Sequence, residues 1–312
     1  MNDEFNIQHS AFWFSFLIAM TEPKPGTLYI VGTPIGNLED ITFRAVKILR
    51  SVDTIAAEDT RHTGKLLQHF QISVPQISYH DHNRNSRTPE LIEKLQQGQA
   101  IALVTDAGMP GISDPGYELV KACVEAEIQV VPIPGPVAAI AALSAAGLPT
   151  EKFVFEGFLP AKGKERSDRL EFLQSEFRTI VFYESPHRLR QTLQDLADAL
   201  GKERQIVLAR ELTKLHEEFW RGDLAGAIAD YNEREPQGEY TLVVAGTPPA
   251  KPQLSEAEII TELQQLMGQG ISRSQASRQL AKVTAFSRRH LYQIALAIPN
   301  LPITAAETPN DT

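Results

Sequence analysis

Two carboxylates, two hydroxyls, a guanidinium and an imidazole stand together in Ala56-Ala57-Glu58-Asp59-Thr60-Arg61-His62-Thr63, directly after a short apolar run. Polar groups of this kind at the end of a buried strand can relay a proton or hold an anion. They can equally open a helix, with Asp59 or Thr60 bonding the amides of the next turn. A second cluster, Arg210-Glu211-Leu212-Thr213-Lys214-Leu215-His216-Glu217-Glu218, also follows a strand-like run and offers a lysine able to stabilise developing negative charge. Its other reading is a solvated face. Asp106-Ala107-Gly108-Met109-Pro110-Gly111-Ile112-Ser113-Asp114-Pro115-Gly116 packs three glycines and two prolines into eleven residues. Such a loop follows an unusual backbone path and lets a ligand come close. Asp106, at the strand's end, can accept hydrogen bonds from an amino group or hydroxyl and favours a positive charge nearby.

Two more turns end strands in the same part of the chain. Val31-Gly32-Thr33-Pro34-Ile35-Gly36-Asn37 is neither GxGxxG nor GxxxxGK[ST], and Pro34 lacks the N–H that a phosphate cradle uses. Dinucleotide and nucleoside-triphosphate readings weaken accordingly. Pro132-Ile133-Pro134-Gly135-Pro136-Val137-Ala138-Ala139 leads into an alanine-rich helix, where small side chains permit close approach of a ligand or tight helix-sheet packing. In an open α/β sheet, loops at the carboxyl ends of strands meet in one crevice. The three turns are therefore expected to line one pocket. His80-Asp81-His82 places alternate residues on one face, but so short a stretch rarely closes a zinc site and no distant motif completes it. No metal is expected, and an exposed loop is the reading.

The elements that position these turns follow from hydrophobic period. Residues 27–31, 54–57, 101–105 and 129–133 read as strands, and 41–49, 90–95, 117–126 and 137–146 as helices. That alternation predicts a mainly parallel sheet covered by helices. After Leu148-Pro149-Thr150 a second α/β domain is expected, with strands at 153–158, 179–183, 206–210 and 240–245 and helices at 166–173 and 189–200. Thr247-Pro248-Pro249-Ala250-Lys251-Pro252 reads as a stiff linker. Beyond it, Ser255 with Glu258 forms a capping box, and segments at 272–280 and 287–296 complete a helix-turn-helix-like module. The expected organisation is a leader at 1–25, α/β domains at 26–149 and 150–247, a linker at 248–254, a helical module at 255–298 and a tail at 299–312.

Composition narrows the partners. Across 312 residues, 39 acidic against 30 basic side chains give a net charge of −9, so nucleic-acid contact must be a local basic patch. Over residues 251–298, Lys251, Arg273, Arg278, Lys282, Arg288 and Arg289 stand against only Glu256, Glu258 and Glu262, a net +3. A single cysteine, Cys123, fits a reducing cytoplasm and a packing role. The apolar run at residues 11–20 is half the length of the roughly 20 residues a bilayer-spanning helix needs. It reads as a leader outside the fold, with Met20 an alternative start, and no membrane contact is expected.

Read together, Gly26-Thr27-Leu28-Tyr29-Ile30-Val31-Gly32-Thr33-Pro34-Ile35-Gly36-Asn37, the Glu58-Asp59-Thr60-Arg61 cluster, the Asp106–Gly116 loop, Pro134-Gly135-Pro136 and Phe155-Glu156-Gly157-Phe158-Leu159-Pro160 resemble the ribosomal RNA small subunit methyltransferase I family. That branch is similar in fold to the tetrapyrrole (corrin/porphyrin) methylases. The resemblance implies two α/β domains holding S-adenosylmethionine in their cleft, and a homodimer. It implies methylation of the ribose 2′-oxygen of a cytidine in the decoding region of 16S rRNA, within the 30S subunit. By matching positions it places Pro34, Asp106, Ala107, Gly108, Ile112, Ser113, Val137, Ala138, Tyr183 and Leu215 at the cofactor. Met109 stands where the family usually has threonine. For the transfer itself, Glu58 and Asp59 are the candidate proton network, with Arg61 and Lys214 to hold a flanking phosphate or oxyanion. RNA capture is expected from Lys162-Gly163-Lys164-Glu165-Arg166 and the helical module. Two rivals stand beside this reading: a methyltransferase acting on a tetrapyrrole-like small molecule, and a non-catalytic RNA-binding protein on the same fold.

Overall fold

A computed structural model of the chain describes residues 22–247 and 254–299. The run at 11–20, both candidate starts, and nearly all of the expected linker and tail lie outside the described residues. The chain divides into two compact units, Met1–Thr247 and Pro248–Thr312.

The first unit begins with a sheet of β1 (Thr27–Val31), β2 (Thr54–Ala57), β3 (Gln76–Ser78), β4 (Ile101–Val104) and β5 (Gln129–Ile133). Their order is β3-β2-β4-β1-β5, and every pairing is parallel. β1 and β4 are buried along their whole length because helices cover both faces, which is why they read as unbroken apolar runs. The covering helices are α1 (Phe43–Ser51), α2 (Thr60–His69), α3 (Arg84–Gln96) and α4 (Tyr117–Glu125), and β5 is followed by α5 (Ala138–Ala146). Ile48, Leu49 and Ile55 pack on one side of the sheet, and Leu91, Leu95, Leu119 and Cys123 on the other. Burial pushes the Cys123 thiol up to about 11, so it behaves as an inert apolar group.

The second sheet joins β6 (Phe153–Phe158), β7 (Thr179–Glu184), β8 (Gln205–Arg210), β9 (Glu218–Asp223) and β10 (Tyr240–Val244) in the order β6-β7-β10-β8-β9. Here only β6 and β7 are parallel, and the rest pair antiparallel. Helices α6 (Lys164–Leu173), α7 (Pro186–Leu200) and α8 (Leu224–Glu233) complete this half. The chain's two sheets are tied by α5. Ala139, Ala142, Leu143 and Ala146 pack against Val181, Val207, Ala209 and Val243 of the second sheet, so the alanine-rich helix of the first half forms part of the second half's core. Methyl-sized side chains let the helix lie close to the strands.

Four elements escaped the hydrophobic pattern. β3 is three residues of an edge strand, and β9 (EFWRGD) is an edge strand carrying charge, so neither shows an alternating run. The helices α2 and α8 are each opened by an aspartate: Asp59 accepts from the Arg61 N–H and Asp223 from the Gly226 N–H. The second unit packs α9 (Glu256–Gly268), α10 (Arg273–Val283) and α11 (Arg288–Ala297) around Ile259, Leu263, Leu280 and Leu291. Its capping box forms, with Ser255 and Glu258 bonded reciprocally.

Candidate active site

The crevice lies where the carboxyl ends of β1, β4 and β5 meet the ends of β7, β8 and the start of β10. Its formation depends on a close backbone approach between the first and third turns. A Cβ on Gly32 would fall 2.7 Å from Gly135 Cα, and one on Gly135 would fall 2.8 Å from Gly32 Cα. Only glycine at both positions lets the turns touch. Thr33 and Gly108 then bond in both directions, at 2.9 and 3.1 Å, and the Thr33 hydroxyl donates to Thr105 O at 3.0 Å. These bonds consume the amides of Thr33 and Gly108. The thioether of Met109 fills the space beside Gly32, its sulfur 2.7 Å from where that Cβ would stand.

Between the two sheets is a cavity of about 370 Å³. Of the ten positions expected at a cofactor, Ala107, Gly108, Ile112, Ser113, Val137, Ala138 and Tyr183 line it. Pro34 adjoins the lining residue Ile35, and Asp106 adjoins Ala107. Leu215 stands apart: it is 92% exposed in the turn after β8. The Tyr183 hydroxyl accepts from the Ala139 N–H at 3.2 Å and so fixes the start of α5, while its ring meets Phe155 and Phe158 edge-on at 5.0 and 5.8 Å.

The expected proton network divides. Glu58 is not among the residues that line the cavity; its Oε2 accepts the Asp106 N–H at 3.3 Å. Burial raises its pKa, with the charges of Asp106 and Asp81 adding to the shift. Asp59 is committed elsewhere. Its carboxylate caps α2 and accepts from Arg61 Nε and Nη2 at 3.1 and 2.7 Å, and these bonds hold it well below the usual carboxylate range. Arg61 is 89% exposed at its side chain and does not line the cavity. Lys214 is bound by Glu211 and Glu239 at 2.8 and 2.9 Å, which neutralises the charge expected to meet an oxyanion.

Sequence reasoning passed over Asp114, Glu184 and Glu239, all of which line the cavity. Burial and the charges of Glu58, Asp106, Asp81 and Glu239 push the Asp114 carboxyl up to about 7. Its position in the glycine-rich loop was legible, but the neighbours that perturb it come from separate strands. Arg166, expected to face RNA, is instead buried: it bonds Asp195 at 2.7 Å, Pro160 O at 2.9 Å and Thr192 at 2.9 Å. Lys162 and Lys164 of the same loop remain exposed, as do Arg278, Lys282, Arg288 and Arg289 of the second unit. His80, Asp81 and His82 form a turn, in which His80 and Ser78 engage Asn83.

A crevice lined by both sheets in this arrangement belongs to a known class: the chain is a member of the Tetrapyrrole (Corrin/Porphyrin) Methylases, whose sequence profile matches residues 27–228. Along nearly its whole length it is similar to Ribosomal RNA small subunit methyltransferase I of Synechocystis sp., at 62% identity over 88% of this chain and 98% of that protein. The protein of the same name from Escherichia coli O157:H7 is 50% identical over 87% of this chain and 95% of its own. Among solved structures, the methyltransferase CobJ superposes with a TM-score of 0.55 at 17% identity, over 74% of this chain and 97% of that one. Uroporphyrin-III C-methyl transferase from Thermus thermophilus, complexed with S-adenyl homocysteine, gives 0.52 at 16% identity, over 70% and 97%. Both show the shared fold.

Proposed function

We propose that the chain methylates the ribose 2′-oxygen of a cytidine in the decoding region of 16S rRNA, drawing the methyl group from S-adenosylmethionine. The observation that carries this reading is the convergence of three separate turns on one cavity, in a chain 62% identical to a protein named for small-subunit ribosomal RNA methylation. The residues present fit the donor. Ile35, Ile112 and Val137 give an apolar wall, and the Asp106 carboxylate, next to the lining residue Ala107, favours a positive charge such as a sulfonium nearby. Asp106 Oδ1 is buried without a hydrogen-bond partner among the described residues, an acceptor that a bound hydroxyl or amino group would satisfy. When bound, the donor supplies an electrophilic methyl and a neutral thioether leaving group.

The chain's contribution is alignment and proton handling. Holding the two reactants in line can supply several of the roughly 7 to 11 kcal/mol available from effective molarity. Arg61, exposed though bonded to Asp59, would turn to a backbone phosphate as RNA arrives. Lys162, Lys164 and the exposed arginines of the second unit extend the RNA contact. The protein acts in the cytoplasm as a homodimer, on rRNA within the 30S subunit. Labelled methyl transfer to 30S particles from a strain lacking the enzyme, followed by alkaline digestion, tests the reading. A ribose methyl leaves one phosphodiester uncleaved, and a base methyl does not. Deleting residues 248–312 should flatten the fall of RNA affinity with salt, because fewer counterions are displaced.

A further inference from the structure

We propose that Asp114 takes the proton from the acceptor hydroxyl during methyl transfer, a role that rests on the ribose-methylation reading above. The cavity wall decides this by elimination. Its titratable groups are Asp114, Glu184, Glu239, Tyr183 and Tyr240. Glu184 is 2% exposed, its Oε1 accepts the Ser185 N–H at 2.8 Å, and its Oε2 accepts the Thr192 hydroxyl at 2.6 Å. Glu239 is paired with Lys214, the Tyr183 hydroxyl accepts from Ala139, and the Tyr240 hydroxyl accepts from the Gln237 N–H at 3.2 Å. Asp114 alone of the five makes no side-chain hydrogen bond or ion pair with any described residue.

The backbone around it is built to present it. Ser113, the residue before, has φ +63°, a left-handed conformation that costs a non-glycine residue on the order of 1 kcal/mol. Its hydroxyl lies 3.2 Å from where a Cβ on Gly157 would stand, so the loop of the first half leans on the bulged strand β6 of the second. Gly111 N–H bonds Pro115 O at 3.2 Å and closes the loop from within. Asp114 is thus held between a strained residue and a buried proline, facing the cavity from a framework anchored on both sheets.

In the step, a lone pair of the 2′-oxygen forms the O–C bond while the C–S bond breaks and its electron pair goes to sulfur. The hydroxyl proton passes to an Asp114 carboxylate oxygen and later to solvent. A carboxylate is normally too weak a base to help greatly. Four groups face Asp114 and strengthen it: Glu58 at the end of β2, Asp81 after β3, Asp106 in its own loop and Glu239 before β10. Tyr183, on β7, is the fifth titratable neighbour and is neutral.

Three measurements on the full chain test this. Asp114→Asn should lower kcat on 30S particles by about 10²- to 10⁴-fold, while calorimetry with S-adenosylhomocysteine should show a dissociation constant within about threefold of wild type. Asp114→Glu should recover part of the loss. Carboxyl carbon NMR of the protein without donor should show one aspartate titrating near 7 that is missing from Asp114→Asn. kcat/KM of the wild type should rise with unit slope through that region, and Glu58→Gln should move the limb to lower pH. Asp114→Asn with turnover within a few-fold of wild type overturns the assignment, as does S-adenosylhomocysteine affinity falling in step with kcat. A wild-type methyl found on a base rather than on ribose rejects the acceptor reading instead, so the two failures are told apart.

Discussion

The two sheets of the first unit treat their carboxylates in opposite ways. Around the second sheet, acids are locked to cations: Arg166 to Asp195, Arg169 to Glu156, Arg178 to Glu176 and Arg234 to Glu218, with N···O distances of 2.5 to 2.7 Å. At the ends of the first sheet, Glu58, Asp106 and Asp114 crowd together, and among the described residues no arginine or lysine forms a bridge with any of them. Crowded, half-buried acids repel, and an isolated fold would gain by pairing them. Unpaired crowding of this kind costs the fold stability, as strained functional sites commonly do, while the second sheet's acids are satisfied by their cations.

Substitutions can break that contrast, and the largest effect is expected on the paired side. Arg166→Met strands the Asp195 carboxylate, the Pro160 carbonyl and the Thr192 hydroxyl. Unfolding in urea should show a loss of about 3 kcal/mol. Glu176→Gln comes next, at about 2 kcal/mol near neutrality, since Arg178 donates to both carboxylate oxygens. Bonding to Arg178 lowers the folded pKa of Glu176 to about 2, so its stabilisation is present above the unfolded value near 4.5 and fades as pH falls through 2. The difference from wild type should shrink accordingly in acid melts.

Asp114→Asn should carry the opposite sign. The folded pKa lies above the unfolded one, so the protonated form favours the fold, and that advantage is lost as pH rises through about 7. Thermal melts at pH 8 should place the variant above wild type by about 1 kcal/mol after solvent screening, with the gain gone by pH 4. A variant less stable than wild type at pH 8 would show that the acids are not repelling. Smallest of all is Arg61→Ala, whose stability should change by less than about 0.5 kcal/mol because the side chain is exposed. Its RNA affinity should drop, and the salt slope should decrease by about one.

What could be read in the residues was what depends on neighbours along the chain. β1, β4 and β5 were legible as apolar runs stopped by glycine and proline, and the turns that follow them were legible as places for a ligand. Asp59 was ambiguous because an aspartate two residues before an arginine fits both a proton relay and a helix cap, and the φ of −120° with the bond to Arg61 N–H makes it a cap. Arg166 read as part of a basic loop because nothing local reveals that Asp195, on another helix, faces it. Asp114 lay in plain view, yet its environment is assembled from Glu58, Asp81 and Glu239, which no local pattern connects. Leu215 came from matching positions rather than from chemistry, and among the described residues it is 92% exposed and does not line the cavity.

The turn at Gly36 has one more consequence. A Cβ there would fall 2.5 Å from Lys214 Cγ and 2.8 Å from Leu212 O, and the adjoining Asn37 N–H donates to Thr213 Oγ1 at 3.0 Å. The lobes are stitched at this seam, and any swing of one against the other would have to break it. With the seam intact, a small molecule would reach a standing berth at a rate governed by the width of its mouth.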